Sequence, residues 1–173
     1  MIPQRIFLTG FMAAGKTTIG ERLARQIGFE FIDLDDVIEA AEGMTIAQIF
    51  EKGKEELFRE IEHRELVKLL ERTGIVVALG GGTFIQERNR KLLLEHAFVV
   101  FIDTPLDIIR KRVMGDTKRP LLQQQKAGDL YKLFMTRQPL YRKAPTHVNG
   151  RKSVLGIVNE ILRYLIDTQK ETT

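Results

Sequence analysis

The chain has 173 residues, is 43% hydrophobic and 29% charged, and contains no cysteine. This length and composition are typical of one globular domain, and they exclude collagen-like, low-complexity and disulfide-stabilised proteins. No stretch reaches the roughly 18 apolar residues of a membrane span, and the first apolar run ends at Thr9-Gly10, too early for a signal peptide. We therefore expect a single cytoplasmic domain, residues 1–173, with no membrane partner.

The net charge of +4 has three explanations: a nucleic-acid-binding surface, a pocket for small anions, or ordinary solvated lysines and arginines on helices. Nucleic-acid surfaces usually combine basic residues with aromatic ones for base stacking. Here there is no tryptophan, and several aromatic residues lie in apolar runs such as 98–102. Of the two functional explanations, the composition favours an anion pocket, with no nucleic-acid partner.

Short β-branched runs alternate with longer helical patterns along the chain. The predicted strands are 6–9, 29–34, 75–79, 98–102 and a short last one at 146–148. The predicted helices are 17–27, a region at 35–72 broken at Gly43 and Gly53, then 87–95, 105–114, 129 to about 143, and 154–166. Apolar strands that alternate with helices indicate a parallel sheet covered on both faces. The sequence predicts one α/β domain with a helical insertion after the second strand and a mobile segment near 115–128.

The segment Gly10-Phe-Met-Ala-Ala-Gly15-Lys16-Thr17 matches the pattern G-x-x-x-x-G-K-[ST] and lies between a predicted strand and a predicted helix. In this motif the backbone N–H groups surround phosphate oxygens, the lysine reaches the β- and γ-phosphates, and the hydroxyl ligates Mg²⁺. A glycine turn before an ordinary helix is the alternative, but the match and its setting favour a phosphate loop. The sequence therefore predicts a nucleoside triphosphate site.

Two aspartates, Asp33 and Asp35, come at the carboxyl end of the second predicted strand. If the strand continues, residues two apart lie on one face. Ligands of open α/β sheets bind outside the carboxyl ends of strands, so one carboxylate could hold Mg²⁺ through water and the other could accept a substrate hydroxyl. The alternative is that Asp35 or Asp36 only caps the following helix.

A glycine run and several basic residues complete the candidate site. Gly80-Gly81-Gly82 follows the third strand, where glycines permit close approach of the backbone to a ligand. Arg59 and Glu62 are one helical turn apart, so both can point at one pocket. The other basic candidates are Arg112, Arg119 and Arg137. The three histidines lack metal-ligand spacing.

Six motifs occur in order along the chain. They are the phosphate loop 10–18, the acidic run 31–36, Phe58-Arg-x-x-Glu62, Leu79-Gly-Gly-Gly82, Arg119-Pro-Leu-Leu122 and Arg137-x-Pro-Leu-Tyr141. With this combination the chain resembles the shikimate kinases from about residue 5 to about residue 165. The resemblance implies a three-layer αβα P-loop kinase fold with a five-stranded parallel sheet, a helical substrate-binding insertion at about 35–62 and a mobile lid at about 115–128.

The same resemblance implies an activity. It is the transfer of the γ-phosphoryl group of ATP, with Mg²⁺, to the 3-hydroxyl of shikimate, in the pathway to chorismate and the aromatic amino acids. The expected partner is this small-molecule substrate alone, bound by a monomer. Two mild departures from the family pattern lie in the phosphate loop: Ala13-Ala14 stands where a glycine is common, and Thr17 replaces serine. Neither departure removes a ligand atom.

Residue roles are also implied by the resemblance. The implied catalytic residues are Lys16, Asp35 (the favoured base) and Arg119 (a lid arginine that reaches the phosphates), and the implied metal ligands are Thr17 and Asp33. The implied nucleotide contacts are Gly10, Ala13, Ala14, Gly15, Lys16, Thr17, Thr18, Arg112 (packed on adenine), Arg119, Arg151 and Lys152. The implied shikimate contacts are Asp35, Arg59 and Arg137 (the pair that grips the carboxylate), Glu62 (a support), Gly80, Gly81 and Gly82. Two choices stay open: Asp33 or Asp35 as the base, and Arg151 or Lys152 at adenine.

Two other functions compete with this interpretation. A gluconate kinase-like enzyme shares the loop and the fold, but its acceptor would not need Arg59 and Arg137 together. A non-catalytic nucleotide-binding relative has no reason to retain Lys16, Asp33 and Asp35 together with a lid arginine.

Overall fold

A computed structural model describes residues 2–115 and 127–170. Its strands are β1 (Arg5–Thr9), β2 (Glu30–Asp33), β3 (Ile75–Ala78), β4 (Phe98–Asp103) and β5 (Thr146–Asn149). Its helices are α1 (Lys16–Ile27), α2 (Leu34–Glu42), α3 (Ile46–Leu70), α4 (Glu87–His96), α5 (Leu106–Gly115), α6 (Ala127–Tyr141) and α7 (Val154–Lys170). None of the helices in these two ranges is long and apolar enough to cross a membrane.

The five strands form one parallel sheet, as predicted, and their order in it is β2-β3-β1-β4-β5. Strand β1 is central, since it pairs with β3 on one side and with β4 on the other. The strand order reverses at β1, and ligands bind outside the carboxyl ends of strands at such a point. The loop that follows β1 therefore occupies the ligand-binding edge of the sheet.

Two apolar clusters cover the two faces of the sheet. Alternate residues of β1 belong to different clusters: Phe7 packs with side chains of α3, α4, α5 and α6, whereas Ile6 and Leu8 pack with side chains of α1 and α7. All three β1 side chains are fully buried. Burial on both faces explains why the strands are apolar throughout, and the result is the predicted three-layer αβα arrangement.

The helical insertion after β2 consists of α2 and α3, and both predicted breaks occur. Gly43 ends α2 in the left-handed conformation, with φ 63°, and α3 opens with a capping box between Thr45 and Gln48. Gly53 and Lys54 have non-helical backbone angles and kink α3. The residues of the predicted lid from 116 to 126, including Arg119, lie outside the described residues.

Candidate active site

The loop between β1 and α1 has the conformation of a phosphate loop. Gly10 and Gly15 have φ of 150° and 101°, and a Cβ on Gly10 would lie 3.0 Å from the Ile102 carbonyl oxygen. Ala13 is also left-handed, with φ 58°, which is uncommon for a residue other than glycine. The helix α1 begins at Lys16 directly after this turn, so its positive end faces the ligand-binding edge of the sheet.

Side chains from other elements hold the outer side of this loop. Arg112 Nη1 donates to the carbonyls of Ala13 and Ala14, both at 3.0 Å, and the Thr104 hydroxyl donates to Ala14 at 3.1 Å. The carbonyl of Ala14 and the N–H of Gly15 belong to one trans peptide and point in opposite directions. Because Arg112 and Thr104 fix the Ala14 carbonyl on their side of the loop, the Gly15 N–H points to the opposite side.

Lys16 and Thr17 project from the first turn of α1. Lys16 is 9% exposed, and its Nζ donates to the carbonyls of Gly10 and Phe11 at 2.9 and 3.1 Å, so the side chain spans the loop. The Thr17 hydroxyl donates to Asp33 Oδ2 at 2.9 Å. This contact brings together the two predicted metal ligands.

A hydroxyl and a carboxylate fit Mg²⁺, which prefers oxygen ligands and is usually held by one or two protein groups together with waters and substrate phosphates. Within the described ranges no three His, Cys, Asp or Glu side chains cluster as a metal cage. Thr17 and Asp33 therefore supply two oxygen ligands of the kind that Mg²⁺ takes alongside waters and substrate phosphates.

The two aspartates after β2 differ in setting. The predicted strand 29–34 does not continue to Asp35, because β2 ends at Asp33 and α2 begins at Leu34. Asp33 is the N-cap of α2: its Oδ1 accepts the Asp35 N–H at 3.1 Å. The alternative interpretation, a helix cap at Asp35 or Asp36, is wrong, because Asp33 takes that role and contacts Thr17 as well. Asp35 lies in the first helical turn and lines the cavity described below.

Arg59 on α3 is held by two carboxylates. Its Nη1 lies 2.9 Å from Glu62 Oε2 and its Nη2 lies 3.1 Å from Glu55 Oε1. Burial opposes the charge, but Glu62 and Glu55 outweigh it and raise the pKa of the Arg59 guanidinium. Glu62 is fully buried, and its other oxygen accepts from the Thr83 hydroxyl at 2.7 Å. Arg59 and Glu62, one helical turn apart, therefore form an ion pair on α3.

The three glycines after β3 each face a different side chain. A Cβ on Gly80 would lie 2.9 Å from Asp35 Oδ1, and a Cβ on Gly82 would lie 2.5 Å from Arg59 Nη2. The N–H of Thr83 donates to the Gly80 carbonyl at 3.2 Å and closes the turn. We call residues 80–83 the glycine turn. A side chain at either outer glycine would displace a predicted site residue.

The middle glycine of this turn contacts α6. Tyr141 donates its hydroxyl hydrogen bond to the Gly81 carbonyl, and Arg137 Nη1 lies 3.5 Å from the same oxygen. A Cβ on Gly81 would lie 3.6 Å from Met12 N in the phosphate loop. The glycine turn therefore lies between the phosphate loop, α3 and α6, and it brings Arg137 to the site.

A cavity of about 570 Å³ lies between the phosphate loop, α1, α2, the glycine turn, α5 and the start of α7, and neither Arg59 nor Arg137 lines it. It is lined by Met12, Ala13, Gly15, Lys16, Thr17, Thr18, Ile19, Asp35, Leu79, Gly80, Gly81, Arg112, Lys152, Ser153, Val154 and Ile157. Both candidates for the adenine contact are ion-paired, Lys152 with Glu160 at 3.1 Å and Arg151 with Asp107 at 3.3 Å. Lys152 lines this cavity, whereas Arg151 lines a separate groove near β5.

Sequence reasoning missed several residues of this arrangement. Thr83 forms hydrogen bonds within the glycine turn and to Glu62, and Thr104 forms one to the phosphate loop. Single threonines carry no recognisable sequence signal. Tyr141 was part of a quoted motif but received no role. Its spacing of four residues from Arg137 was an available signal, because residues four apart share a helix face.

A phosphate loop at the switch point of a parallel sheet, a carboxylate facing it and a pair of arginines beyond it define a P-loop kinase of a small acidic molecule. A family model described as shikimate kinase matches residues 12–166. The shikimate kinase of Persephonella marina is 38% identical over 92% of this chain and 97% of its own length. A solved shikimate kinase from Acinetobacter baumannii in complex with shikimate is 37% identical, with a TM-score of 0.87 over 95% of this chain and 94% of its own. The chain belongs to the shikimate kinase family.

The alternative acceptor class shares the fold. A gluconokinase structure from Sinorhizobium meliloti covers 99% of this chain with a TM-score of 0.61 and 18% identity. At that identity the likeness concerns the fold alone, and it does not favour gluconate as the acceptor.

Proposed function

We propose that this chain transfers the γ-phosphoryl group of ATP to the 3-hydroxyl of shikimate, which gives shikimate 3-phosphate and ADP. The observation that carries the proposal is the glycine turn, which joins the phosphate loop to Asp35 on one side and to Arg59 and Arg137 on the other. A nucleotide phosphate, an acceptor hydroxyl and an acceptor carboxylate each have a matching group around this turn.

The carboxylate of shikimate is assigned to Arg59 and Arg137. Guanidinium groups are planar and bind carboxylates through two parallel hydrogen bonds, so two arginines orient a small acid as well as bind it. Arg59 is half-buried beside Gly82 and fixed by Glu62, which reduces the conformational freedom it would lose on binding. A neutral acceptor would offer no carboxylate to the remaining N–H donors of Arg59 or to the guanidinium of Arg137.

Phosphoryl transfer depends on positioning and on neutralisation of charge more than on covalent chemistry of the protein. Lys16 and the N–H groups at the start of α1 offset negative charge on the phosphates. Asp35 orients the attacking hydroxyl and accepts its proton. Mg²⁺, held by Thr17 and Asp33 with the nucleotide, would shield the β- and γ-phosphate oxygens. Arg119, outside the described residues, is assigned by its motif to the same phosphates.

The adenine end of the cavity is assigned to Arg112 and to the segment after β5. Arg112 lines the cavity from α5, while its Nη1 is fixed on the phosphate loop. Lys152 faces it across the same cavity, which favours Lys152 over Arg151 as the contact from this segment. A base between them would also meet the apolar side chains of Val154 and Ile157.

We further propose a monomeric enzyme acting in the cytoplasm. The phosphate loop, Asp35, Arg59 and Arg137 meet around one glycine turn within a single chain, and this supports a site that is complete in the monomer. The reaction also needs ATP, which the cytoplasm supplies. Light scattering at working concentrations tests the oligomeric state: the expected mass is that of one chain, 19.9 kDa.

A coupled assay of ADP release tests the function. Shikimate, gluconate and no acceptor are compared at the same ATP and Mg²⁺ concentrations. We expect ADP release only with shikimate. Release with gluconate would favour the alternative kinase, and no release with either acceptor, although ATP binds, would favour the non-catalytic relative.

A further inference from the structure

Two polar side chains of α6 meet one carbonyl of the glycine turn. The Tyr141 hydroxyl donates to Gly81 O, and Arg137 Nη1 lies at the longer distance of 3.5 Å from the same oxygen. The two side chains lie on one face of α6 because they are four residues apart. The carbonyl thus has a close donor in the tyrosine and a distant one in the arginine.

Tyr141 is fixed by the core. It is 1% exposed, and its ring stacks on Phe101 of β4 with a centroid distance of 5.5 Å and an interplanar angle of 19°. Burial raises the pKa of Tyr141 to about 12, against the opposing charge of Arg137 and a side-chain hydrogen bond with it, so the phenol is protonated at neutral pH and its hydroxyl can donate. The Gly81 carbonyl therefore accepts a hydrogen bond from a hydroxyl group that the core holds in place.

Whether the N–H groups of Arg137 face the substrate depends on the tyrosine hydroxyl. A guanidinium has several N–H donors in one plane, and a carboxylate uses two of them in parallel. A carbonyl beside the core is unfavourable without a partner. If the tyrosine hydroxyl were missing, Arg137 Nη1 would be the nearest donor able to move onto Gly81 O, and this movement would turn the guanidinium away from a substrate carboxylate.

We propose that Tyr141 is a positioning residue for carboxylate recognition: its hydroxyl satisfies the Gly81 carbonyl and so leaves Arg137 directed at the substrate. The inference rests on the proposed function, in which Arg137 binds the carboxylate of shikimate. No covalent step is involved, since Tyr141 acts only through the arginine and the glycine turn.

Steady-state kinetics of Tyr141→Phe test this role, because the change removes the hydroxyl and keeps the stacked ring. We expect the KM for shikimate to rise about tenfold, which is the scale of one hydrogen bond. We expect kcat and the KM for ATP to stay within roughly twofold, as uniform substrate binding requires. The matched control is Tyr164→Phe, which removes the hydroxyl of a tyrosine that is 41% exposed on α7 and should leave all three constants unchanged.

A second comparison separates positioning from a general structural role. In an Arg137→Ala background, adding Tyr141→Phe should change kcat/KM for shikimate by less than about twofold, since the residue through which the tyrosine acts is absent. An unchanged KM in Tyr141→Phe, or the full tenfold effect in the Arg137→Ala background, would overturn the proposal. Failure of the unaltered protein to phosphorylate shikimate would instead refute the proposed function, and the inference would fall with it.

Discussion

Asp35 and Asp33 are close in sequence but differ in what they contact. Asp33 caps α2 and accepts from Thr17, whereas Asp35 lies against Gly80 at the cavity. This difference favours Asp35 as the group that orients the acceptor hydroxyl and Asp33 as the group near the metal.

Asp35→Asn should therefore reduce kcat by at least about 10²-fold, the usual scale of a general base. The amide keeps the shape of the carboxylate but cannot accept the proton. The matched control is Asp36→Asn, in the same helical turn but outside the cavity lining, which should retain activity. A larger kcat loss in Asp33→Asn, with an unchanged Mg²⁺ dependence, would reverse the two assignments.

The outer residues of the glycine turn should respond differently to one added methyl group. In Gly82→Ala the Cβ meets the Arg59 guanidinium, whose flexible end must move, so the KM for shikimate should rise about tenfold or more while kcat changes less. In Gly80→Ala the Cβ meets Asp35 Oδ1 at 2.9 Å, so the loss should fall mainly on kcat. Steady-state kinetics on both variants measure the split. Equal changes in KM and kcat for the two variants would contradict these separate roles.

At the scale of elements, the kink in α3 determines where the substrate-binding part of the helix begins. The segment that follows the kink carries Arg59 and Glu62, and the kink itself includes Lys54 with φ 57° and ψ −164°. This backbone region is essentially restricted to glycine, and another residue there is destabilising by about 1–3 kcal/mol. The chain therefore stores backbone strain at this point.

Lys54→Gly should relieve the strain, offset in part by the greater freedom of glycine in the unfolded chain. The net gain should be about 1 kcal/mol, which raises Tm by roughly 2–4 °C for a protein of this size. Lys54→Ala removes the same charge but keeps Cβ, so its Tm should stay close to that of the original protein. Differential scanning calorimetry measures all three proteins, and equal Tm values for the glycine and alanine variants would argue against strain.

At the scale of the whole molecule, the insertion does not have a core of its own. Ile38, Ile49 and Phe58 of α2 and α3 belong to the same apolar cluster as Phe7 of β1 and Val77 of β3. Unfolding the insertion would therefore expose the central sheet.

We expect one cooperative unfolding transition, with equal calorimetric and van't Hoff enthalpies, as two-state single domains show. Calorimetry together with far- and near-ultraviolet circular dichroism measures this. Two separated transitions would show that the insertion is a separate folding unit and would contradict the prediction of one domain.

The sequence by itself determined the phosphate loop, the five strands and both breaks in the helical insertion. These features depend on local chemistry: left-handed angles favour glycine at Gly10 and Gly15, and strands buried on both faces must be apolar throughout. The order of the six motifs likewise identified the family, because those motifs supply the groups that surround the ligand.

Only the tertiary structure decided which groups of distant segments meet. Tyr141 and Gly81 are 60 residues apart and come into contact because α6 packs over the end of β3. In the same way, Lys152 lines the cavity whereas Arg151 lines a separate groove, a choice that two adjacent basic residues do not reveal in sequence. The sequence also did not determine where β2 ends, because Asp33 could continue the strand or cap the next helix. In the structure it caps α2. The physical reason is that periodicity reports which face of an element is buried, whereas side-chain partners depend on how elements pack against each other.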